Sequence, residues 1–257
     1  MSRVLSIAAG VHPELGPADM VVTAAAAGWP ACGIWFDGAT WSDRTTREVR
    51  RRLDDTGVAV LDVEPIIPAA GSDDHASRLI EAAAELGARF VLFSSRLKDH
   101  TATANRYSEV CAMAEPFGIT VVCEFLPIFP LSSIDIATDI VSGVRSANTG
   151  ILVDNLHLSR SGSSVADVRR IGSERFPYLQ IADAPEERPA DMAALVDEAL
   201  NGRLLPGEGS LPIAELLQAV PGVPLSFEVR SRRLRDSSTD PVERAGVLLA
   251  SARRICD

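Results

Sequence analysis

The chain has 257 residues, of which 46% are hydrophobic, and it carries a formal charge of −10 at pH 7. This length is close to the roughly 250 residues of one (β/α)8 barrel, and the apolar content suffices for a large core. The negative charge argues against a partner that is bound through its phosphates, so no nucleic-acid partner is expected. No apolar run approaches the ~18 residues that a membrane span requires, and no membrane partner is expected either.

The lysine and cysteine residues limit the possible reaction mechanisms and indicate the cellular compartment. Lys98 is the only lysine, which removes most Schiff-base mechanisms. The four cysteines are widely spaced and include no Cys-x-x-Cys pair. Cys32 and Cys123 fall in predicted strands and Cys111 in a predicted helix, as is usual for buried thiols. The sequence therefore predicts a reducing, cytoplasmic setting.

Predicted strands and helices alternate along the whole chain. Eight short apolar runs have the pattern of buried strands: residues 4–9, 32–36, 58–64, 90–94, 119–125, 151–154, 178–182 and 225–229. Helical patterns are present at residues 18–27, 45–55, 73–86, 101–116, 132–146, 164–175, 213–220 and 241–255. A longer connection, without a predicted helix, spans residues 183–210.

Helical crossovers between successive strands require a parallel sheet. Several helices end at a glycine that can supply a left-handed C-cap just before the next strand, as Gly57 and Gly87 do. Eight such units in this length favour a closed barrel over an open sheet. Residues 1–257 are therefore predicted to form a single α/β domain, a (β/α)8 TIM barrel.

Four predicted strands carry a polar residue near their C-terminal end: Glu124, Asp154, Gln180 and Glu228, on strands five to eight. In a closed barrel these ends share one rim, so the four side chains are expected to converge. Burying three carboxylates together would cost several kcal/mol per charge unless a cation compensates them. The pattern therefore predicts one bound divalent metal ion. Oxygen donors favour Mn²⁺ or Mg²⁺, with Co²⁺ or Zn²⁺ as alternatives.

Further candidates lie near the same rim. Glu64 ends the third strand and could contact substrate or be a solvated rim charge. Trp41, in the loop after the second strand, could form a wall for a sugar. Arg203 and Arg230 could bind a substrate carboxylate, as arginine forks do. Residues 207–210, Gly-Glu-Gly-Ser, could seat an anion, although a tight turn before the next helix is favoured.

Five motifs carry a resemblance to a known family: Cys-Glu-Phe-Leu-Pro (123–127), Val-Asp-Asn-Leu-His (153–157), Gln-Ile-Ala-Asp-Ala-Pro (180–185), Pro-Gly-Glu-Gly (206–209) and Phe-Glu-Val (227–229). With them the chain resembles the xylose isomerase-like TIM-barrel superfamily, in its sugar isomerase/epimerase branch. The resemblance covers essentially the whole chain. It implies a Glu–Asp–His/Gln–Glu metal set, which corresponds to Glu124, Asp154, Gln180 and Glu228.

The resemblance also implies two substrate contacts. His157, three residues after the aspartate, is one, and Arg188 is the nearest match to an arginine that often follows the seventh-strand ligand. Epimerases of this superfamily usually have histidine at the position of Gln180. The hydroxypyruvate isomerase and inosose dehydratase branches are similar to this chain, with glutamine at that position. Ketose epimerisation is therefore less favoured.

The function implied is metal-dependent isomerisation or epimerisation of a small sugar, ketoacid or cyclitol. A metal bound to a carbonyl and a neighbouring hydroxyl oxygen of such a polyhydroxy carbonyl substrate would stabilise an enediolate-like intermediate. By resemblance, Glu124 and Glu228 would be the catalytic carboxylates that exchange the proton next to that carbonyl. Barrels of this family commonly pair, so a homodimer is expected.

Three other functions are alternatives. A dehydratase of the 3-dehydroshikimate or inosose type would use the same site and share the first half of the reaction. A metal-binding partner protein without turnover would bind metal but leave the substrate proton unexchanged. DNA repair by an endonuclease of the same superfamily is disfavoured, because strands three and four end in Glu64 and Ser94-Ser95 rather than in histidines.

Overall fold

The computed structural model describes residues 3–256, and in these residues eight parallel strands form a closed barrel. The strands are β1 (Leu5–Ile7), β2 (Ala31–Trp35), β3 (Ala59–Ile66), β4 (Phe90–Phe93), β5 (Thr120–Glu124), β6 (Thr149–Asp154), β7 (Leu179–Ile181) and β8 (Leu225–Phe227). Each strand pairs with the next one in sequence, and β1 pairs with β8 to close the sheet. The predicted TIM-barrel fold is confirmed.

Helices cover the outside of the barrel. They are α1 (Pro17–Ala27), α2 (Asp43–Thr56), α3 (Ala76–Glu85), α4 (His100–Ala114), α5 (Ile134–Ser142), α6 (Asn155–Arg160), α7 (Val165–Ile171), α8 (Met192–Asn201), α9 (Ile213–Ala219), α10 (Arg232–Ser237) and α11 (Pro241–Cys256). Short 3-10 helices lie at Ala9–Val11, Glu115–Phe117 and Ser173–Arg175. Within residues 3–256, the helices lack the length and apolar character needed to cross a bilayer.

Helices α6, α8 and α10 and the full length of β3 are not among the predicted elements. The connection 183–210 contains α8, whose first turn is capped by the side chain of Asp191 and whose Leu195 and Ala199 are buried four residues apart. Strand β3 continues beyond Pro65, where the prediction ended it. A register shift between Val63 and Ile66 accommodates the proline, which has no N–H to donate to the neighbouring strand.

Alternation along the strands decides which side chains enter the barrel. Residues two positions before the predicted ligands lie deeper in the barrel and are mostly apolar, as Val122 and Leu152 are. They belong to a small buried cluster inside the strands: Ala31, Leu61, Phe90, Leu92, Val122, Leu152 and Tyr178. The larger core lies between the strands and the helices. The polar side chains of the C-terminal rim therefore lie above a mainly apolar layer, in which Asp62 and Ser226 are buried polar residues.

Candidate active site

The C-terminal rim of the barrel brings together the predicted metal ligands and two of the predicted substrate contacts. The six residues are Glu64, Glu124, Asp154, His157, Gln180 and Glu228, and none is more than 8% exposed. Gln180 pairs in register with Asp154 on one side and with Ser226 on the other. The backbone N–H of Glu228 donates to the carbonyl of Ile181 at 3.0 Å, which aligns β8 with β7. Neighbouring strands thus aim these side chains at one place.

Asp154 has two structural roles at the end of β6. Its Oδ1 accepts hydrogen bonds from the backbone N–H groups of Leu156 at 2.8 Å and His157 at 3.1 Å. These bonds cap α6, so the helix starts immediately after the strand. The cap turns His157 back toward the rim, where it lies close to the carboxylate that positions it.

The donor atoms present fit a divalent metal ion. One ligand atom each from Glu124, Asp154 and His157 lies within 4.8 Å of the other two, and all three residues are buried. Two further buried oxygens, Gln180 Oε1 and Glu64 Oε1, have no hydrogen-bond partner. A buried acceptor without a partner is destabilising, and a cation would satisfy it. This geometry groups Glu124 and Asp154, two of the predicted ligands, with His157.

Arg203 supplies a cation to the same cluster. Its guanidinium Nη1 donates to Asp154 Oδ2 at 2.5 Å and lies 3.4 Å from Glu228 Oε2. Its Nε donates to the carbonyl of Ala199 at 3.0 Å, at the end of α8. Arg203 is 2% exposed, so its charge acts in a poorly solvated environment. This arginine partly balances the carboxylates of the rim.

The pKa values of the carboxylates diverge strongly. Burial raises the pKa of Asp154, but the charges of Arg203 and His157 and their hydrogen bonds outweigh burial and lower it to about 2. Burial, and then the charges of Glu228 and Asp154, raise the pKa of Glu124 well above its usual range. Burial raises the pKa of Glu228 to about 7, although Arg203 opposes the shift. The rim therefore contains one firmly ionised carboxylate and two that hold protons more tightly.

Glu64 and His157 are also perturbed. Burial and the charge of Asp62 raise the pKa of Glu64 well above its usual range. Burial lowers the pKa of His157 to about 4, and Arg203 acts in the same direction. At neutral pH His157 is therefore uncharged, which is the form that can bind a metal or accept a hydrogen bond.

A cavity of about 330 Å³ opens above this cluster. Its lining includes Glu64, Glu124, His157, Arg203 and Glu228, together with apolar side chains from the loops after the strands. Its size and its mixture of apolar walls with a few converging polar groups are typical of a small-molecule site.

Two predicted substrate contacts lie elsewhere. Arg188 is exposed and is absent from the lining of this cavity, so the interpretation that made it the rim arginine is not supported by its position. Arg203 takes that place, because the chain passes through α8 before it returns to the barrel. Trp41 is buried beside Phe36 and lines a neighbouring cavity of about 450 Å³, with its Nε1 donating to Thr46 at 2.9 Å.

The glycine-rich turn after α8 is occupied by an acidic side chain of the protein. Asp183 Oδ2 accepts from the backbone N–H of Gly207 at 2.9 Å and of Gly209 at 3.0 Å, and its Oδ1 accepts from Leu211 at 3.0 Å. A side chain at Gly209 would collide with the backbone of Ala184, which explains glycine there. These amides hold Asp183, in agreement with the favoured interpretation of a tight turn.

The sequence profile of the xylose isomerase-like TIM barrels matches residues 21–254. The chain therefore belongs to this family. Its relatives include an isomerase and a dehydratase. An inosose isomerase of Bacillus velezensis is 27% identical over 120 residues, which are 46% of this chain and 41% of that protein. A 3-dehydroshikimate dehydratase of Pseudomonas aeruginosa is 25% identical over 84% of this chain.

The matches span only part of these relatives. The chain aligns with about two fifths of the inosose isomerase and 36% of the dehydratase. Among solved structures, the IOLI protein with a bound zinc atom superposes with a TM-score of 0.84. That alignment covers 100% of this chain and 98% of the other, at 16% identity, and so supports the fold.

Proposed function

We propose that the protein is a divalent-metal-dependent isomerase or epimerase of a small polyhydroxy carbonyl compound. The observation that carries this proposal is the convergence of Glu124, Asp154, Gln180 and Glu228 at one rim of the barrel. Unpartnered oxygens there, on Gln180 and on Glu64, complement a cation. The relatives named as inosose isomerase and D-psicose 3-epimerase agree with this class of reaction.

Glu124 and Glu228 are the proposed proton-transfer groups. Each lines the cavity, and each has a pKa raised by burial, to about 7 for Glu228. A carboxylate with a pKa near neutrality can both remove a proton next to a carbonyl and return it. The family resemblance implies that the two groups exchange the substrate proton from opposite sides, and in this chain they lie at the end of β5 and directly after β8.

His157 and Arg203 orient the substrate in this proposal. Neutral His157 can donate or accept a hydrogen bond with a substrate hydroxyl. Arg203 holds Asp154 in place through a 2.5 Å hydrogen bond and presents the rest of its guanidinium to the cavity wall. Apolar residues around the mouth, such as Phe129 and Leu126, limit the access of water to the reacting carbons.

Glu124, Asp154, Gln180 and Glu228 would hold the metal, with His157 beside them. When bound, the ion would supply positive charge that makes the proton next to a substrate carbonyl more acidic. Carboxylate and amide oxygens favour Mn²⁺ or Mg²⁺. The zinc reported in the IOLI structure, together with the histidine, makes Zn²⁺ or Co²⁺ the alternatives.

A dehydratase is the second candidate. The 3-dehydroshikimate dehydratase relative aligns with 84% of this chain, a larger share than the inosose isomerase does. Removal of the same proton would be followed by loss of a hydroxyl group from the adjacent carbon. Both candidates therefore depend on the same base and differ only in the step that follows.

Proton exchange in D₂O separates the candidates. The protein is incubated with Mn²⁺ and with an inosose, 3-dehydroshikimate or D-psicose, and the products are followed by NMR. Exchange of the proton next to the carbonyl without loss of water indicates an isomerase or epimerase, whereas an unsaturated product indicates a dehydratase. Glu124→Gln and Glu228→Gln are expected to reduce exchange at least about 100-fold.

Exposed Glu187 offers a matched control, because Glu187→Gln makes the same chemical change away from the cavity. Its exchange rate should equal that of the wild type. If metal binds but no member of the panel exchanges a proton, the enzyme proposal is contradicted and a metal-binding partner protein is favoured.

The compartment and the assembly are further proposals. Cys32, Cys111 and Cys123 are free and buried, which supports a reducing, cytoplasmic location. A homodimer is proposed because barrels of this kind commonly pair, and size-exclusion chromatography with light scattering tests it.

A further inference from the structure

Arg230 is a cation without a polar partner beside the proposed active site. Its half-buried side chain forms no hydrogen bond or ion pair with the residues from 3 to 256, and its Nε is buried without an acceptor. Its charge acts on the nearby carboxylates of Glu64 and Glu228, but without direct pairing. Its guanidinium carbon lies 6.0 Å from the ring centroid of Trp35, within the range of a cation–π contact. Arg203, by contrast, is engaged by two carboxylates. Of these two rim arginines, only Arg230 therefore has a guanidinium that is free to pair with an anionic ligand.

The fold holds Arg230 at the boundary between two cavities. Arg230 and Trp35 line both the 330 Å³ cavity with the carboxylates and the neighbouring 450 Å³ cavity. The carbonyl of Arg230 accepts from the N–H of Arg203 at 3.1 Å, which fixes its backbone. Gly10 leaves room for the side chain, since a Cβ there would lie 3.2 Å from Arg230 Cδ and 3.0 Å from Glu228 Oε1.

His12 presents a second unpartnered group to the larger cavity. It is 2% exposed, and Arg244 Nη2 lies 3.3 Å from its Nδ1. Because the guanidinium can only donate, Nδ1 is the acceptor, and the ring proton of neutral His12 is on Nε2. That Nε2 is buried and has no acceptor among the described residues. His12 and Arg230 thus both have a buried N–H without a partner.

The unpartnered atoms include the acceptor oxygen of Glu64 and the N–H donors of His12 and Arg230. Glu64 lines the cavity with the carboxylates, His12 lines the neighbouring cavity, and Arg230 lines both. Buried donors without acceptors are unfavourable, so a ligand that supplies acceptor oxygens would be stabilised there. Arginine in particular matches the paired oxygens of a carboxylate or phosphate.

We propose that Arg230 and His12 form a subsite for an anionic group, a carboxylate or a phosphate, of the substrate whose reacting carbons lie against Glu124 and Glu228. This inference rests on the proposed function and narrows it to acidic polyhydroxy carbonyl compounds. Glu228 Oε1 and Arg230 Nε lie 3.0 and 3.4 Å from the same point, the position of a Cβ on Gly10, so the two groups are near neighbours. A small acidic substrate can therefore contact both.

Matched pairs of acid and neutral ligands test the subsite. Isothermal titration calorimetry in the presence of Mn²⁺ compares D-fructuronate with D-fructose, and shikimate with its methyl ester. The wild type should bind at least one acid about tenfold more tightly than its neutral counterpart. Arg230→Met should reduce that ratio to within about twofold, and His12→Phe should lower it severalfold. A titration with D-fructose 6-phosphate, compared with that of D-fructuronate, shows which anionic group, phosphate or carboxylate, the subsite binds more tightly.

Arg232→Met is the matched control. Arg232 is exposed and pairs with Asp197 at 2.9 Å, so its removal changes the net charge equally without touching either cavity. This variant should keep the wild-type ratio. Circular dichroism melting of each variant verifies that it is folded, and Arg230→Lys, which keeps the charge, should retain part of the preference.

The subsite is overturned if neither acid binds more tightly than its neutral counterpart, or if folded Arg230→Met keeps the preference. Proton exchange in D₂O, measured on the same samples, reports on the proposed function separately. Exchange without acid preference leaves the isomerase and removes the subsite. Acid preference that depends on Arg230, without exchange, leaves the subsite and removes the isomerase.

Discussion

Replacing Arg203 by methionine perturbs the charge balance of the site most directly. The guanidinium is buried, 2.5 Å from Asp154 and 3.4 Å from Glu228. Removing one member of a buried pair typically costs about 3–5 kcal/mol, because the remaining charges are left uncompensated. With Arg203 present the pKa of Asp154 is about 2, below its ordinary 3.8 although burial raises it, so the opposing charges and hydrogen bonds, of which the charge of Arg203 is the largest, outweigh burial.

The dependence on pH has a definite sign. In the wild type the pKa of Asp154 is lower than in the unfolded chain, so its stabilising effect is complete above about pH 4 and is lost toward pH 2. In Arg203→Met the effect of burial is no longer offset by the guanidinium, so the pKa of Asp154 should rise above 3.8. The ionised carboxylate then opposes folding, and the variant should lose stability as pH rises from 4 to 8.

Urea unfolding in the presence of EDTA, at pH 5 and pH 8, measures these effects. The free energy of unfolding of Arg203→Met should be about 3–5 kcal/mol lower than that of the wild type at pH 8, with a smaller difference at pH 5. Saturating Mn²⁺ should restore more stability to the variant than to the wild type, because the ion replaces the lost charge. Arg232→Met, an exposed arginine, should show no measurable change.

A loss below about 1 kcal/mol at pH 8, or an equal loss at both values, would refute the assignment of Arg203 as the compensating cation.

Three more predictions follow from the same geometry. Gln180→Met removes a buried acceptor that has no partner, so the metal-free protein should be at least as stable as the wild type while Mn²⁺ affinity, measured by calorimetry, falls about tenfold or more. Metal binding should release protons below pH 7, because burial raises the pKa of Glu228 to about 7 and ligands bind as carboxylates. Titrations in buffers of different ionisation enthalpy will show this release, and affinity that is independent of pH from 5 to 7 would contradict it. Tyr178→Phe deletes the hydroxyl that donates to Asp62 Oδ2 at 2.7 Å. Burial raises the pKa of Asp62 to about 6, so the loss in urea unfolding should be about 1–3 kcal/mol at pH 8 and smaller at pH 4, where Asp62 is protonated.

The convergence of the rim carboxylates and Gln180 could be predicted because each strand end is recognisable in a short segment of sequence. Each of Glu124, Asp154, Gln180 and Glu228 lies at the end of an apolar run, and alternation within a strand decides which face a residue occupies. In a closed parallel barrel all such ends meet at one rim, so four separate segments imply a single site. His157 was expected from the family resemblance, and the structure shows that Asp154 caps the turn that contains it.

Arg203 and Arg230 were candidates from the sequence, but their contacts depended on tertiary structure. Arg203 is 49 residues beyond Asp154, at the end of a connection whose helix α8 had not been predicted. Spacing within that connection favoured Arg188, but Arg188 is exposed. The prediction failed because distance along the sequence does not show where a long connection returns to the barrel. A long guanidinium side chain can reach the cavity from several backbone positions, and only packing selects one.

The sequence by itself determined the eight strands, the closed barrel and the carboxylates of its rim, because hydrophobic periodicity and strand ends are properties of short segments. Only the tertiary structure decided that Arg203 compensates Asp154, that Trp41 belongs to a neighbouring cavity, and that Arg230 is left without a polar partner. Those outcomes depend on distances between side chains from remote segments. Such distances are set by the packing of the whole barrel and its loops.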